Sequence, residues 1–413
     1  MRPVWITGIG VNSALGHGQN AFWNALLEGV PAVRDWRVSA QDERQIRTAH
    51  MEYSMPAASP VASPVASPDE VPEFVRAGAA ALAEALDQAG LTVPDLRAAA
   101  LLVGTTSGGT MDGFVDACLE EDQVAQQRCS TSANIGSSTR WLAQYFGIQG
   151  TQATLSAACT SSTAAIAQGM FLIQQGLCEV ALVGGCDQLR AADAAGFGVL
   201  RAVTKEVCRP FDAQRDGILP ADGAAFLVLE SATHAQQRGA LPLAELISTG
   251  FSCDAHHATA PHPEGVARAM RLALQQAEIQ PEQIGYVNCH GTGTLLNDKN
   301  EALAMQDVFG ENITHLYATS TKSTTGHLLG TAGALEALIC VQVLQQQTIP
   351  PMKTVRTLDP CVRFQAPLVA PHVCAETAPL NYVMSNSLGF GGMNTSLILR
   401  RAPLVACARF PNH

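Results

Sequence analysis

A single thiol, Cys159, stands in the stretch LSAACTSST (residues 155–163), just ahead of TSSTAAIAQGMFLIQQG, whose alanines, Ile166, Met170, Phe171 and Ile173 read as a helix stopped by Gly176. At a helix N-terminus, unpaired backbone N–H groups and the positive end of the dipole stabilise a thiolate, so the placement predicts a lowered thiol pKa and a nucleophile. The same N–H groups can receive a carbonyl oxygen that turns into an oxyanion. Taken alone, the stretch fits a buried cysteine at a tight strand-to-helix turn equally well.

Two histidines shift the balance. His290 ends a strand-like run and is followed by Gly-Thr-Gly-Thr in CHGTGTLLNDKNEA, a turn loosened by glycine that lets the imidazole point into a cavity. His327 sits in a similar small-residue context, STKSTTGHLLGTAGALEAL, with Lys322 five residues earlier. Either histidine by itself reads as a hydrogen-bonded structural residue; the pair, beside a cysteine that opens a helix, is a rarer set. A fourth piece, SNSLGFGGMN (385–394), surrounds Phe390 with glycines that free the backbone to present N–H groups. Its alternative is a plain turn between two closing strands.

These groups need a scaffold. Short β-rich runs recur: VWITG near 4, AALLVGTT near 99, VALVGG near 180, AFLVLE near 225, YVNCHG near 286, LYATST near 316, YVMSNS near 382 and TSLILR near 395. Between them, Pro72–Gly90 and Glu264–Ile279 show apolar spacing of three and four. Alternating strand and helix predicts an α/β layered fold. A coarse repeat of long helix, strand, small-residue turn, helix and closing strand pair predicts two similar halves, 1–240 carrying the cysteine and 241–413 carrying the histidines. The Pro/Ala/Ser-rich segment 55–72, with its PVAS repeat, reads as a flexible insertion without catalytic duty.

At 413 residues, 47% hydrophobic and only 15% charged, the chain can bury two core units and subunit interface besides. A net charge of −11 argues against tracking nucleic-acid phosphates. No apolar run reaches the roughly 18 to 20 residues of a membrane span, and glycines interrupt the first apolar run, so the expectation is a cytoplasmic protein with no membrane partner. The twelve cysteines include no Cys-x-x-Cys pair and no ligand-like Cys/His spacing, so neither a disulfide framework nor a metal site is expected.

SAACTSS, CHGTGT with the following Asn-Asp and Glu, TKSTTGHLLGTAG and NSLGFGGMN, in this order and together with RPFDAQRDG (209–217) and ITGIGVNSALG (6–16), resemble the β-ketoacyl-acyl carrier protein synthases of the ketosynthase I/II type over nearly the whole chain. The resemblance implies the thiolase-like fold, two pseudo-duplicated α/β halves in five layers, working as a dimer. It implies Cys159 as the acyl-accepting nucleophile and His290 and His327 as the pair that assists decarboxylation of a malonyl thioester and stabilises the enolate. It places Lys322 and Glu301 as a supporting pair near His327, and Asp298, Thr292, Thr294, Gly389 and Gly391 around the site. The N–H groups of Cys159 and Phe390 match the oxyanion hole, with the Phe390 ring as gate. No cofactor is implied, because the phosphopantetheine arm of an acyl carrier protein brings the substrates. Carrier proteins of this family's pathways are acidic, and Arg201, Lys205 and Arg209 are the candidate docking cations, unless they form an ordinary solvated cluster.

Three departures stand out. Cys289 replaces a usual alanine, Leu295 a common proline and Met393 a common threonine, all expected to line or border the pocket. Segment 55–72 falls where housekeeping relatives carry a basic helix, which favours a specialised type II polyketide or polyene pathway over fatty acid synthesis. Two other readings keep the fold: a chain-length-factor-like subunit in a heterodimer, and an acyltransferase or cyclase that does not extend chains.

Overall fold

The computed structural model describes residues 1–39, 42–49, 73–108 and 134–402. The segment 55–72 therefore lies outside the described residues. Ten strands carry the architecture: β1 (Val4–Ser13), β2 (Ala100–Gly104), β3 (Gln152–Leu155), β4 (Val180–Asp187), β5 (Gly223–Ser231), β6 (Ala244–Cys253), β7 (Ile284–Asn288), β8 (Tyr317–Thr319), β9 (Tyr382–Gly389) and β10 (Met393–Arg401). They lie in one continuous sheet in the order β8-β7-β9-β10-β6-β1-β5-β4-β2-β3.

That order contains a repeat. From edge to junction the first half runs β3-β2-β4-β5-β1 and the second β8-β7-β9-β10-β6, so each strand of one half has a counterpart in the other. The pairing types match as well: β2 is parallel to β3 and β4, β7 is parallel to β8 and β9, and the inner pairs β4·β5 and β9·β10 are antiparallel. The halves join where Val4 pairs with Leu246 across β1 and β6. All eight strand-like runs in the sequence are strands. Two strands, β3 and β6, gave no clear run, because β3 has only four residues, one exposed and three half-buried, and β6 is interrupted by Gly250.

Three layers of helix enclose the two halves of the sheet, five layers in all. On the outside, α1 (Glu73–Ala89) covers β1 and β5, and α3 (Pro263–Ala277) covers β6 and β10, each presenting one apolar face as its spacing predicts. Between the halves lie α2 (Ser161–Gln174) and α5 (Ala332–Gln346), and every residue of α5 from Ala332 to Leu344 is buried. A helix apolar all round belongs in the middle of a protein. Two glycines allow this central layer to close. A Cβ on Gly104 would stand 2.3 Å from the Ser162 amide nitrogen, and one on Gly333 only 1.7 Å from Thr163 Oγ1. The first positions the start of α2 against β2, and the second brings α2 and α5 together.

Candidate active site

Cys159 stands just before Thr160, the N-cap of α2, on a turn whose preceding residue, Ala158, takes a left-handed φ of 51°. Neighbouring hydroxyls hold that strained turn: Thr160 Oγ1 donates to the Ala157 carbonyl at 2.7 Å, and the Ala157 amide donates to Ser161 Oγ at 2.9 Å. Ser162 and Thr163 reach the other half, where Ser162 Oγ accepts the Ala334 amide and Thr163 Oγ1 bonds Ser387 Oγ at 2.7 Å. The run of four hydroxyls beside the thiol is thus a brace that fixes its place.

His290 leaves the end of β7. Both oxygens of the buried Glu301 are spent on its turn, accepting the amides of His290 and Gly291 at 2.8 Å each. His327 is anchored through its backbone, its amide donating to Leu219 and its carbonyl accepting from Ala221. The two imidazoles meet edge to face with centroids 5.3 Å apart. Cys159 Sγ and one nitrogen of each ring all lie within 4.8 Å of one another.

Lys322, fully buried, places Nζ 3.4 Å from Nδ1 of His290 and forms an ion pair with Glu336 of α5. The expected Lys322–Glu301 pair near His327 is therefore corrected: Lys322 pairs with Glu336 and touches His290, while both Glu301 oxygens hold the backbone amides of His290 and Gly291. Burial, then the Lys322 charge, holds the pKa of both imidazoles well below the usual histidine range, so both are neutral at pH 7.

The thiol behaves differently from the expectation. Burial pushes Cys159 up to about 11, and the negative charges of Glu336 and Asp187 add to the rise, while Lys322 and the Phe390 amide aimed at the sulfur act in the opposite direction. Desolvation outweighs the Lys322 charge and the Phe390 amide. The resting group is a thiol.

The three side chains sit in a cavity of about 320 Å³. Thr292 and Thr294 line it with their hydroxyls 3.0 Å apart, and Leu388, Gly389 and Phe390 form the opposite wall. Asp298 stands beneath the first wall, accepting the amides of Phe211 at 2.8 Å and Gly293 at 3.1 Å. The half-exposed Phe390 ring lies 6.4 Å from that of Phe197, and Gly391 beside it adopts φ 88°. Arg201 lines the mouth and Lys205 is exposed, but Arg209 is buried and bonded to Glu206. Arg209 leaves the set of docking cations, since a buried, paired guanidinium presents no charge to a partner. Of the three departures, Leu295 lines the cavity, Cys289 turns into the core against Met305 at 3.6 Å, and Met393 pairs with Gly389 across the β9–β10 turn.

Models of the β-ketoacyl synthase N-terminal domain and C-terminal domain match residues 1–235 and 243–356. The chain belongs to the β-ketoacyl synthase family. Among curated members it is 33% identical to 3-oxoacyl-[acyl-carrier-protein] synthase 2 of Vibrio cholerae, over 97% of this chain and 99% of the other. Over 62% of its length it is 37% identical to the enzyme of the same name from Staphylococcus aureus, covering 63% of that protein. Among solved structures, the ishigamide ketosynthase/chain length factor superposes with a TM-score of 0.88 at 32% identity, covering 97% of this chain and 100% of that one. A Xenorhabdus doucetiae ketosynthase in complex with its chain length factor gives 0.79 at 31% identity, covering 97% and 98%. The expected thiolase-like fold is the fold of this β-ketoacyl synthase.

Sequence reasoning missed three residues that organise the site of this ketosynthase-type chain. Glu336 was legible as the lone acid within the apolar helix GALEALICV. Asp187 ends β4 and accepts the Thr105 hydroxyl at 2.6 Å and the Thr106 amide at 3.0 Å; no local pattern marks it. Arg215, inside RPFDAQRDG, donates to the carbonyls of Thr294 at 3.1 Å and Leu295 at 2.9 Å and pairs with Asp359 at 2.7 Å, fixing the mouth loop.

Proposed function

We propose that this protein is a β-ketoacyl-acyl carrier protein synthase that condenses a Cys159-bound acyl chain with a malonyl thioester, losing carbon dioxide. The observation that carries the reading is the convergence of one thiol and two neutral imidazoles within 4.8 Å in one cavity. As the Cys159 sulfur attacks the incoming thioester carbonyl, its proton passes through the His327 imidazole to the departing pantetheine sulfur. A neutral resting thiol suits this sequence, because it ionises only when an acyl donor is there to attack.

In the second half-reaction, the electrons of the malonyl carbon–carboxylate bond move toward the thioester carbonyl as carbon dioxide leaves. The enolate carbon then attacks the Cys159 acyl carbonyl, and the sulfur departs. Lysine can only donate, so Lys322 at Nδ1 of His290 puts the ring proton on Nε2. That N–H and the imidazole of His327 stabilise charge that develops only along the reaction path, where one such donor is worth on the order of 3 kcal/mol. Decarboxylation supplies the carbanion, so the reading requires no metal or organic cofactor beyond the carrier's own arm.

Solved structures similar to this chain include ketosynthases with chain length factors, which supports a type II polyketide or polyene system with its own acyl carrier protein, while the curated relatives named 3-oxoacyl-[acyl-carrier-protein] synthase 2 keep fatty acid synthesis as the alternative. The protein then works as a homodimer or as the active half of a heterodimer in the cytoplasm. The presence of Cys159 disfavours the chain-length-factor reading. Intact-mass analysis with an octanoyl thioester should show an adduct that is absent in Cys159→Ala, and malonyl-carrier protein should then yield the extended β-keto product. Carbon dioxide release without extension would overturn the condensation step.

A further inference from the structure

The mouth of the cavity is apolar where a charged docking patch was expected. Leu200, Leu295 and Leu296 line it and are 51%, 62% and 56% exposed, and Val199 beside them is 83% exposed. On α4 (Leu295–Phe309) the exposed stripe runs on through Lys299 to Leu303, one helical face at four-residue spacing. Large aliphatic side chains gathered at one opening, with polar residues around them, mark a contact surface rather than scattered surface leucines.

Charge surrounds this collar without dominating it. Arg201, Lys205 and Lys299 are exposed at its margin, while the nearest acids are engaged: Glu206 pairs with Arg209, and Asp216 accepts the Thr204 hydroxyl at 2.6 Å and the Lys205 amide at 3.1 Å. The rim is therefore cationic toward an acidic partner, and the centre is dry.

We infer that the acyl carrier protein of this ketosynthase docks chiefly by apolar contact with the leucine–valine collar of Val199, Leu200, Leu295, Leu296 and Leu303, the three cations serving as an orienting rim. This rests on the proposed reading, since only a carrier protein must sit over the mouth while its arm reaches Cys159. It commits the partner to an exposed aliphatic patch on the face that holds the arm, bordered by carboxylates.

The test compares two octanoyl donors, the acidic fatty-acid carrier protein of Vibrio cholerae and the small N-acetylcysteamine thioester, by the rate of Cys159 acylation. Val199→Asp and Leu303→Asp lie on the collar outside the cavity lining and should raise the apparent KM for the carrier about tenfold each. They should leave acylation by the small thioester unchanged. Lys205→Ala and Lys299→Ala should change the carrier KM less than roughly threefold, as expected of exposed charges. Unchanged carrier kinetics in both aspartate variants, or a larger effect from the lysine variants, would overturn the inference. Failure of both donors on wild type would instead overturn the proposed function.

Discussion

Lys322 Nζ lies 3.4 Å from Nδ1 of His290 while paired with Glu336, so one buried cation connects a carboxylate on the central helix to the proton of a site imidazole. Glu336 thereby influences the cavity from a position well behind it. All three groups are buried, and removing one leaves an uncompensated charge or donor.

Glu336→Gln is expected to lower thermodynamic stability by about 3 kcal/mol and condensation by roughly a hundredfold. Replacing the pair together, Lys322→Met with Glu336→Leu, should restore most of the stability and none of the rate. A denaturant titration beside a condensation assay separates the two, and recovery of rate in the double variant would show that the pair does not orient His290.

Alkylation of Cys159 by iodoacetamide should rise about tenfold per pH unit from pH 7 to 10, because the thiol is pushed up to about 11 and only the thiolate reacts. Lys322→Ala, which removes a charge that favours the anion, should slow alkylation throughout this range. A flat profile near pH 7 would indicate a resting thiolate.

Burial raises Asp187 from an ordinary 3.8 to about 7. Between those values the folded protein holds a proton that the unfolded chain has released, so stability falls as pH rises through this window and levels off above it. Buried Glu301 and Glu336 are raised in the same sense, to about 7. Asp187→Asn should therefore make the loss of melting temperature between pH 5 and 8 shallower without abolishing it. An unchanged slope would mean that Asp187 does not titrate there.

Arg215→Lys keeps the charge but cannot hold Thr294, Leu295 and Asp359 at once. The mouth loop should loosen, raising KM for carrier-bound substrates roughly tenfold with kcat changed less than about threefold. Steady-state kinetics decide it, and a loss confined to kcat would place Arg215 nearer the chemistry.

The eight β runs, the α1 and α3 periodicities and the identities of Cys159, His290, His327 and Phe390 were legible in the sequence because each is written locally, in alternation, spacing or a glycine-marked turn. Strand β6 escaped because its ladder partners β1 and β10 come from distant parts of the chain and Gly250 interrupts its own pattern. The sequence by itself determined which atoms could react. Tertiary structure alone decided their protonation and partners: Lys322 chose Glu336 over Glu301, Arg209 was buried, and Cys159 became a neutral thiol. Each of these outcomes depends on how much water and which charges surround a group, and that is set by packing between halves far apart along the chain.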